Sequence, residues 1–264
     1  QASSAADTLM TVTAPTITTS IPSGKKIVSG IKISISTPTG TTVYYTTNNS
    51  TPTSTGLYSH SLDSGKAEIT ATSDGNKTLK AVAIKNGISS NPVTATYSVK
   101  AKKAYASSDV GDIMFKDVSA VTYSSDLYLS DEQKSDAFAY IFYKGTECND
   151  VTITAERKLG VGIKLGDEKA WCTSSAQAYN LSIEPIEDTK TGQGCLSTIG
   201  PYLSNQGRQN DTNTEANYPA FYYAKNYGTR TGTTLTNWYL PSKAELAKIY
   251  EKQSDLNAIC SLCN

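Results

Sequence analysis

Histidine is nearly missing: the chain has one in 264 residues, His60. A serine–histidine catalytic arrangement or a multi-histidine metal site therefore has almost nothing to be built from. Long apolar runs are missing as well, and none approaches the ~20 residues that cross a bilayer. Neither sign of charge prevails, because 24 Lys+Arg stand against 24 Asp+Glu and the formal net charge is +0. Nucleic acid or an anionic membrane would select a basic surface, so the balance argues against both as the main partner. Phenylalanine is scarce, at 4, whereas tyrosine numbers 17. Amphipathic rings of that kind suit half-buried sheet faces and binding surfaces.

Cysteine is absent from the first half; Cys148, Cys172, Cys195, Cys260 and Cys263 all lie in the second. An odd count leaves at least one thiol unpaired, and two bridges among five allow about 15 pairings. Cys260-Ser-Leu-Cys263 is a lone C-x-x-C without a second pair or a nearby histidine, which is weak support for zinc. Free or structural cysteines come first in expectation, disulfides second and metal last; no cofactor is called for.

The length suggests two domains. Residues 1–12 read as a flexible leader, since Gln-Ala-Ser-Ser-Ala-Ala-Asp at its start is small, polar and unpatterned. The expectation is a tether after a removed signal or an upstream lipidated cysteine, with residue from recombinant expression as the alternative. Over 13–100 the apolar period is two: Ile31, Ile33 and Ile35 alternate with Lys32, Ser34 and Ser36. Val43–Thr47, Ala67–Ala71, Thr78–Ile84 and Val93–Val99 have the same strand character. Turn clusters separate them, among them Asn48–Pro52, Asp74-Gly75-Asn76 and Asn86-Gly87. Short strands so punctuated make an all-β sandwich with no helix. His60, between Ser59 and Ser61, reads as a surface or capping residue in a loop.

Thr42-Val43-Tyr44-Tyr45-Thr46-Thr47-Asn48-Asn49-Ser50-Thr51-Pro52-Thr53 resembles the Y-Y-T-x-D-G-S-x-P-T hairpin of the Ig-like domains appended to chitobiases and β-hexosaminidases. Leu79–Ala83 and Ser89–Tyr97 resemble that domain's last two strands. Asn48-Asn49 replaces the usual Asp-Gly, which keeps turn chemistry and removes a carboxylate. The resemblance covers about a third of the chain and implies a spacer or scaffold without catalysis.

Composition changes at Lys100, Lys102 and Lys103, and a second domain is expected over 104–264. Ser130-Asp131-Glu132-Gln133 is a capping box, and the apolar run Ala137–Tyr143 behind it predicts a helix passing straight into a buried strand. Trp171–Tyr179 offers a further helix, and Ser242–Tyr250 the clearest one. The Gly-rich run at 160–166 lacks a strand–turn–helix context for phosphate and reads as a tight β-turn.

Asn237-Trp238-Tyr239-Leu240-Pro241-Ser242-Lys243-Ala244-Glu245-Leu246 resembles the W-x-L-P-[ST]-x-x-E-L signature of bacterial domains with the C-type-lectin-like fold, related in shape to formylglycine-generating enzymes. Val110–Asp117, Ala139–Tyr143, Leu159–Gly162 and Ala170–Cys172 (around Trp171) fall in that family's order. As a set they are similar to the surface-displayed variable proteins of Treponema served by diversity-generating retroelements. The fold class implied is an all-β Ig-like sandwich followed by an α+β C-type-lectin-like domain. Trp238, Leu240, Pro241, Glu245 and Trp171 are its structural motif: Trp238 and Leu240 as core anchors, Pro241 at the helix start and Glu245 in its first turn. In that family further strands follow this helix and carry the ligand-facing residues. Here the chain stops about twenty residues past the motif, so the head is expected to be incomplete at its C terminus and no contact position is carried over. Glu184-Pro185-Ile186-Glu187-Asp188 lacks the asparagine of a calcium–sugar motif and reads as an acidic loop.

An enzyme lacks a constellation: no histidine partners a nucleophile, no motif singles out a carboxylate pair, and Cys260 and Cys263 are misplaced for a formylglycine-type oxidase. The expectation is a non-enzymatic, monomeric protein displayed at the cell surface as an outer-membrane lipoprotein, or secreted, that binds a protein or glycan ligand. Its one contact with a membrane would be the upstream lipid anchor. A purely structural surface component is the alternative, and an enzyme related to formylglycine-generating enzymes a more remote one. Tyr222, Tyr223, Asn226 and Tyr227 are the candidate ligand contacts, since Tyr and Asn suit adaptable binding surfaces. A core helix or strand over 218–227 is the plainer reading of the same run.

Overall fold

A computed structural model describes residues 18–37, 39–54, 60–63, 66–72, 74–150, 153–164, 166–176, 179, 191–194 and 215–264, with backbone alone at 60–63 and 66–69. These residues form two compact units. One holds the chain up to Ala101 together with Asp126–Tyr128; the other holds Lys102–Ser125 and Leu129–Asn264. Residues 126–128 thus fold with the first unit rather than within the span 104–264 expected of the second.

In the first unit, alternation decides which side of each strand is wet. β3 (Lys32–Ser36) buries Ile33 and Ile35 and turns its lysine and serines outward. It lies between β1 (Thr18–Thr19) and β6 (Lys66–Thr70) in a three-stranded sheet. The second sheet runs β13-β2-β9-β7-β4-β5, where β13 is Leu127–Tyr128, β2 Lys26–Val28, β9 Val93–Lys100, β7 Gly75–Lys85, β4 Thr42–Thr46 and β5 His60–Asp63. The pairs β2–β9 and β13–β2 are parallel, whereas the sequential neighbours are antiparallel. β8 (Ile88–Ser89) folds back on β7 across Asn86-Gly87, both at positive φ, as a two-residue hairpin demands. Ile21, Ile27, Ile33, Ile35, Val43, Leu79 and Tyr97 share one core. The Tyr97 hydroxyl donates to the Ile21 carbonyl at 2.7 Å, tying a strand to the chain's entry into the sandwich. His60 lies on a strand and not in a loop, because its backbone pairs with Tyr45.

Asn48 and Asn49 turn the chain after β4. Asn49 sits at φ 69°, the left-handed region, and the Asn48 carboxamide accepts from Ser50 N at 3.1 Å and Ser50 Oγ at 2.7 Å. Asparagine tolerates that backbone and supplies the closing acceptor, which explains how it stands in for Asp-Gly.

The second unit is built on a five-stranded antiparallel sheet, β10-β12-β11-β14-β15. These are Lys103–Ala104, Ser119–Thr122, Asp112–Phe115, Ala137–Gly145 and Arg157–Gly162. Helix α1 (Asp131–Asp136) starts on the Ser130/Gln133 capping box and gives way at Ala137 to β14, buried on both faces from Ala137 to Tyr143. Gly160 and Gly162 lie on the outermost strand rather than in a turn. Helices α2 (Pro219–Lys225), α3 (Tyr227–Thr231), α4 (Lys243–Tyr250) and α5 (Gln253–Cys263) follow. The helix expected over 171–179 is instead a string of bends and turns at 171–176. Tertiary bonds take over that backbone: Thr173 N donates to Asn217 O at 2.9 Å and Thr173 Oγ1 to Ala216 O at 2.7 Å. Among the described residues, no helix is long and apolar enough to cross a membrane.

Cys148, Cys172, Cys260 and Cys263 are free thiols, and Cys195 lies outside the described residues, as does the acidic loop at 184–188. Burial at the end of α5 pushes the Cys263 thiol up to about 11, so it behaves as a small apolar residue.

The turn at Asn49 yields a direct test. Asn49→Val should cost about 1–2 kcal/mol through the left-handed backbone, whereas Asn49→Gly should stay within roughly 0.5 kcal/mol of the parent. Urea midpoints of the two variants, compared at constant m, read the difference.

Candidate ligand-binding cleft

The loop 235–241 owes its path to one indole. Trp238 Nε1 donates to the Leu235 carbonyl at 2.9 Å, and its ring lies 4.6 Å from Tyr227 and 6.0 Å, edge to face, from Phe138. Helix α3 can approach this loop only because residue 228 is glycine. A Cβ there would stand 2.6 Å from the Leu235 carbonyl and 3.1 Å from the indole nitrogen. Gly162 has the same role on the sheet, where a Cβ would meet the Tyr227 ring at 2.5 Å. Tyr227 fills that space, donates its hydroxyl to Phe138 O at 2.7 Å and accepts from Lys164 N at 3.0 Å.

The loop ends in the Ser242 cap of α4. Ser242 Oγ accepts from Glu245 N, and Glu245 Oε2 accepts in return from Ser242 N at 3.0 Å. Pro241 therefore precedes the cap instead of opening the helix. Glu245 is 1% exposed and does more than complete the box. Its Oε2 also accepts from Gly192 N at 2.9 Å, and its Oε1 accepts from the Tyr239 hydroxyl at 3.0 Å and faces Arg157 Nη1 at 3.7 Å. Arg157 closes the ring by donating to Tyr239 Oη at 2.9 Å and to the Cys148 carbonyl at 3.2 Å. Burial, reinforced by the Glu245 charge, raises the Tyr239 phenol well above its ordinary value, and the same two causes raise the Cys148 thiol.

Between the sheet and this loop lies a cavity of about 380 Å³, within the range of small-molecule sites. Met114, Phe138, Ile141 and Leu159 on the sheet, with Trp238 and Ile249, provide apolar lining. Among the described residues, Arg157, Lys158 and Glu245 are the charged ones that border it. Lys158 Nζ donates to the Tyr105 carbonyl at 2.9 Å and Ser108 Oγ at 3.0 Å and sits 4.6 Å over the Tyr105 ring. Among the described residues, no group of three or more His, Cys, Asp or Glu side chains is placed to hold a metal.

Three of the motif residues, Trp238, Pro241 and Glu245, border the cavity. Leu240 instead meets Gly192 through its carbonyl, and Trp171, 41% exposed, stands 6.3 Å from the Tyr218 ring outside the cleft. Tyr222, Tyr223, Asn226 and Tyr227 do not border it either. The Tyr223 ring carries the Arg230 guanidinium at 4.3 Å, the Asn226 carboxamide donates to the Tyr222 carbonyl at 2.9 Å, and Tyr227 is buried. Arg157 and Lys158 escaped notice in the sequence. The one local signal for them is a basic pair opening the Leu-Gly-Val-Gly run, and apart from Cys148, 9 positions off, their partners lie 50 to 88 positions away along the chain.

Residues 21–97 match the family described as the chitobiase/beta-hexosaminidase C-terminal domain. No curated protein matches the chain. Three solved structures are similar over about a third of its length. The fibronectin(III)-like modules of Clostridium thermocellum CbhA are 24% identical over 33% of this chain and 94% of theirs, with a TM-score of 0.23. The sulfur carrier protein SoxY from Chlorobium limicola f thiosulfatophilum is 14% identical over 34% and 81%, with a TM-score of 0.23. A computer-redesigned beta sandwich protein is 14% identical over 34% and 92%, with a TM-score of 0.24. The family match and the two-sheet topology make the first unit an Ig-like sandwich.

Two outcomes follow from the network. Glu245→Ala strands the Arg157 guanidinium and two backbone N–H groups, and should cost about 3–5 kcal/mol, with Glu245→Gln nearer 1–3 kcal/mol, in urea unfolding of the full chain. Burial holds the Tyr227 phenol at about 12 in the fold. An unfolded tyrosine titrates near ~10, so the native state binds the extra proton between these values and stability falls as pH rises through that window. Absorbance at the tyrosinate band should show unfolding in that window, and Tyr227→Phe should move the transition to higher pH while lowering stability at neutral pH.

Proposed function

We propose that the protein is a non-enzymatic ligand-binding protein, displayed at the cell surface or secreted, with the second unit as a C-type-lectin-like head and the Ig-like sandwich as its spacer. The observation that carries this reading is the Trp238–Glu245 segment. Its tryptophan, capping serine and buried glutamate form a self-contained scaffold that holds one wall of a cleft. Those residues bind the fold together and leave the cleft's remaining surface free to vary, which suits a head that presents different ligand contacts on one frame. Likeness of the same segment to the variable proteins of diversity-generating retroelements favours surface display and a protein or glycan ligand. The match of residues 21–97 to an accessory domain favours a spacer role for the first unit.

Glycan and protein arrays probed with the full chain test the reading. The expected result is selective, saturable binding to a small set of ligands, competed by the same ligands in solution. Uniform weak signal on both arrays would overturn it and leave a structural surface component.

A further inference from the structure

Among the described residues, charge in the cleft does not cancel. Of the three charged residues bordering it, Arg157 and Glu245 form a pair at 3.7 Å, with the carboxylate sealed under Tyr239, Gly192 and Ser242. Lys158 is left over: +1 from Arg157, +1 from Lys158 and −1 from Glu245 make a net +1. Its amine rests on neutral oxygens of Tyr105 and Ser108, and no carboxylate lies within ion-pair distance of it among the described residues. An ammonium has three donors, so two neutral bonds leave one for an incoming acceptor. The Tyr105 ring beneath the amine restrains its position.

The space behind this cation is apolar and open on the strand side. Leu235, Trp238 and Ile249 supply part-exposed hydrocarbon, and β15 withholds a side chain at Gly160. That glycine has no steric duty of the kind Gly162 has. A Cβ at 160 would meet nothing nearer than the Tyr140 carbonyl at 3.6 Å and the Ala139 Cβ at 3.8 Å, ordinary contact distances. A cleft of about 380 Å³ with apolar walls and one uncompensated positive charge at its border is complementary to a small molecule with a hydrocarbon body and an anionic end.

We propose that this cleft binds a small amphipathic organic anion, its carboxylate or sulfonate received by Lys158 and its apolar body lodged against Leu235, Trp238 and Ile249. The assignment rests on the binding reading above and names a ligand class for that cleft. Arg157 contributes to the wall rather than to the uncompensated charge, since the Glu245 carboxylate already offsets its positive charge. A neutral alcohol has no group to match the ammonium.

The test uses 8-anilinonaphthalene-1-sulfonate on the full native chain, with octanoate and 1-octanol as competitors. Saturable fluorescence is expected in native buffer, displaced by octanoate and about tenfold less well by octanol. Gly160→Leu should weaken the probe more than tenfold while leaving the urea midpoint in place. Lys158→Gln should weaken octanoate about five- to tenfold and leave octanol unchanged. Fluorescence that appears only under denaturing conditions, equal competition by both compounds, or indifference to both variants would overturn the proposal. Selective array ligands with no probe or octanoate binding would sink the anion and leave the binding reading standing. Anion binding without any array ligand would support the assignment and overturn the glycan or protein reading.

Discussion

Glu245 is a carboxylate with almost no access to water, and isolation of that kind is costly unless every oxygen is matched. Here the matching groups come from four places in the chain: Ser242 one turn back, Tyr239 in the preceding loop, Gly192 and Arg157. The helix start, the loop before it and the outermost strand of the sheet are thereby held to one another through a single side chain. Removing the carboxylate would release the cap, leave the guanidinium half-buried without a counter-charge and free the loop that carries Trp238. The cleft exists because that loop stands off the sheet at a fixed distance, and Glu245 sets the distance from one end as Trp238 does from the other.

The first unit solves a simpler problem. Its strands are short and its outward residues are serine, threonine and lysine, so alternation alone specifies which face packs. Two details keep the register from slipping: the Asn86-Gly87 hairpin and the hydroxyl of Tyr97 on the Ile21 carbonyl. Neither needs a carboxylate or a metal.

What could be read in advance followed from whether the deciding interaction was local. The strands at Lys32–Ser36, Thr42–Thr46 and Val93–Lys100 are written in period two, and the capping boxes at Ser130 and Ser242 in four residues each. Those elements were legible. The turns at 171–176 were not, because Thr173 bonds to residues 216 and 217 and only the folded chain brings those donors and acceptors together. Gly160 and Gly162 suggested a turn by composition, yet they lie on a strand because β14 supplies the partner, and Gly162 leaves the space that the Tyr227 ring fills. The cleft itself was invisible for the same reason: Arg157 and Glu245 are 88 residues apart, and no spacing rule joins them.

The abundance of tyrosine over phenylalanine has a further meaning once the hydroxyls are located. Tyr97, Tyr227 and Tyr239 each reach one particular oxygen on another segment, at 2.7 to 3.0 Å. A phenylalanine core is judged by volume, and neighbouring segments can shift against it by an ångström with small loss. A tyrosine is a rod of fixed length with a polar tip, so segments it joins have one separation at which the tip is satisfied and many at which it is not. Each such ring is a gauge block set between two segments of the fold, and the two units are dimensioned by them.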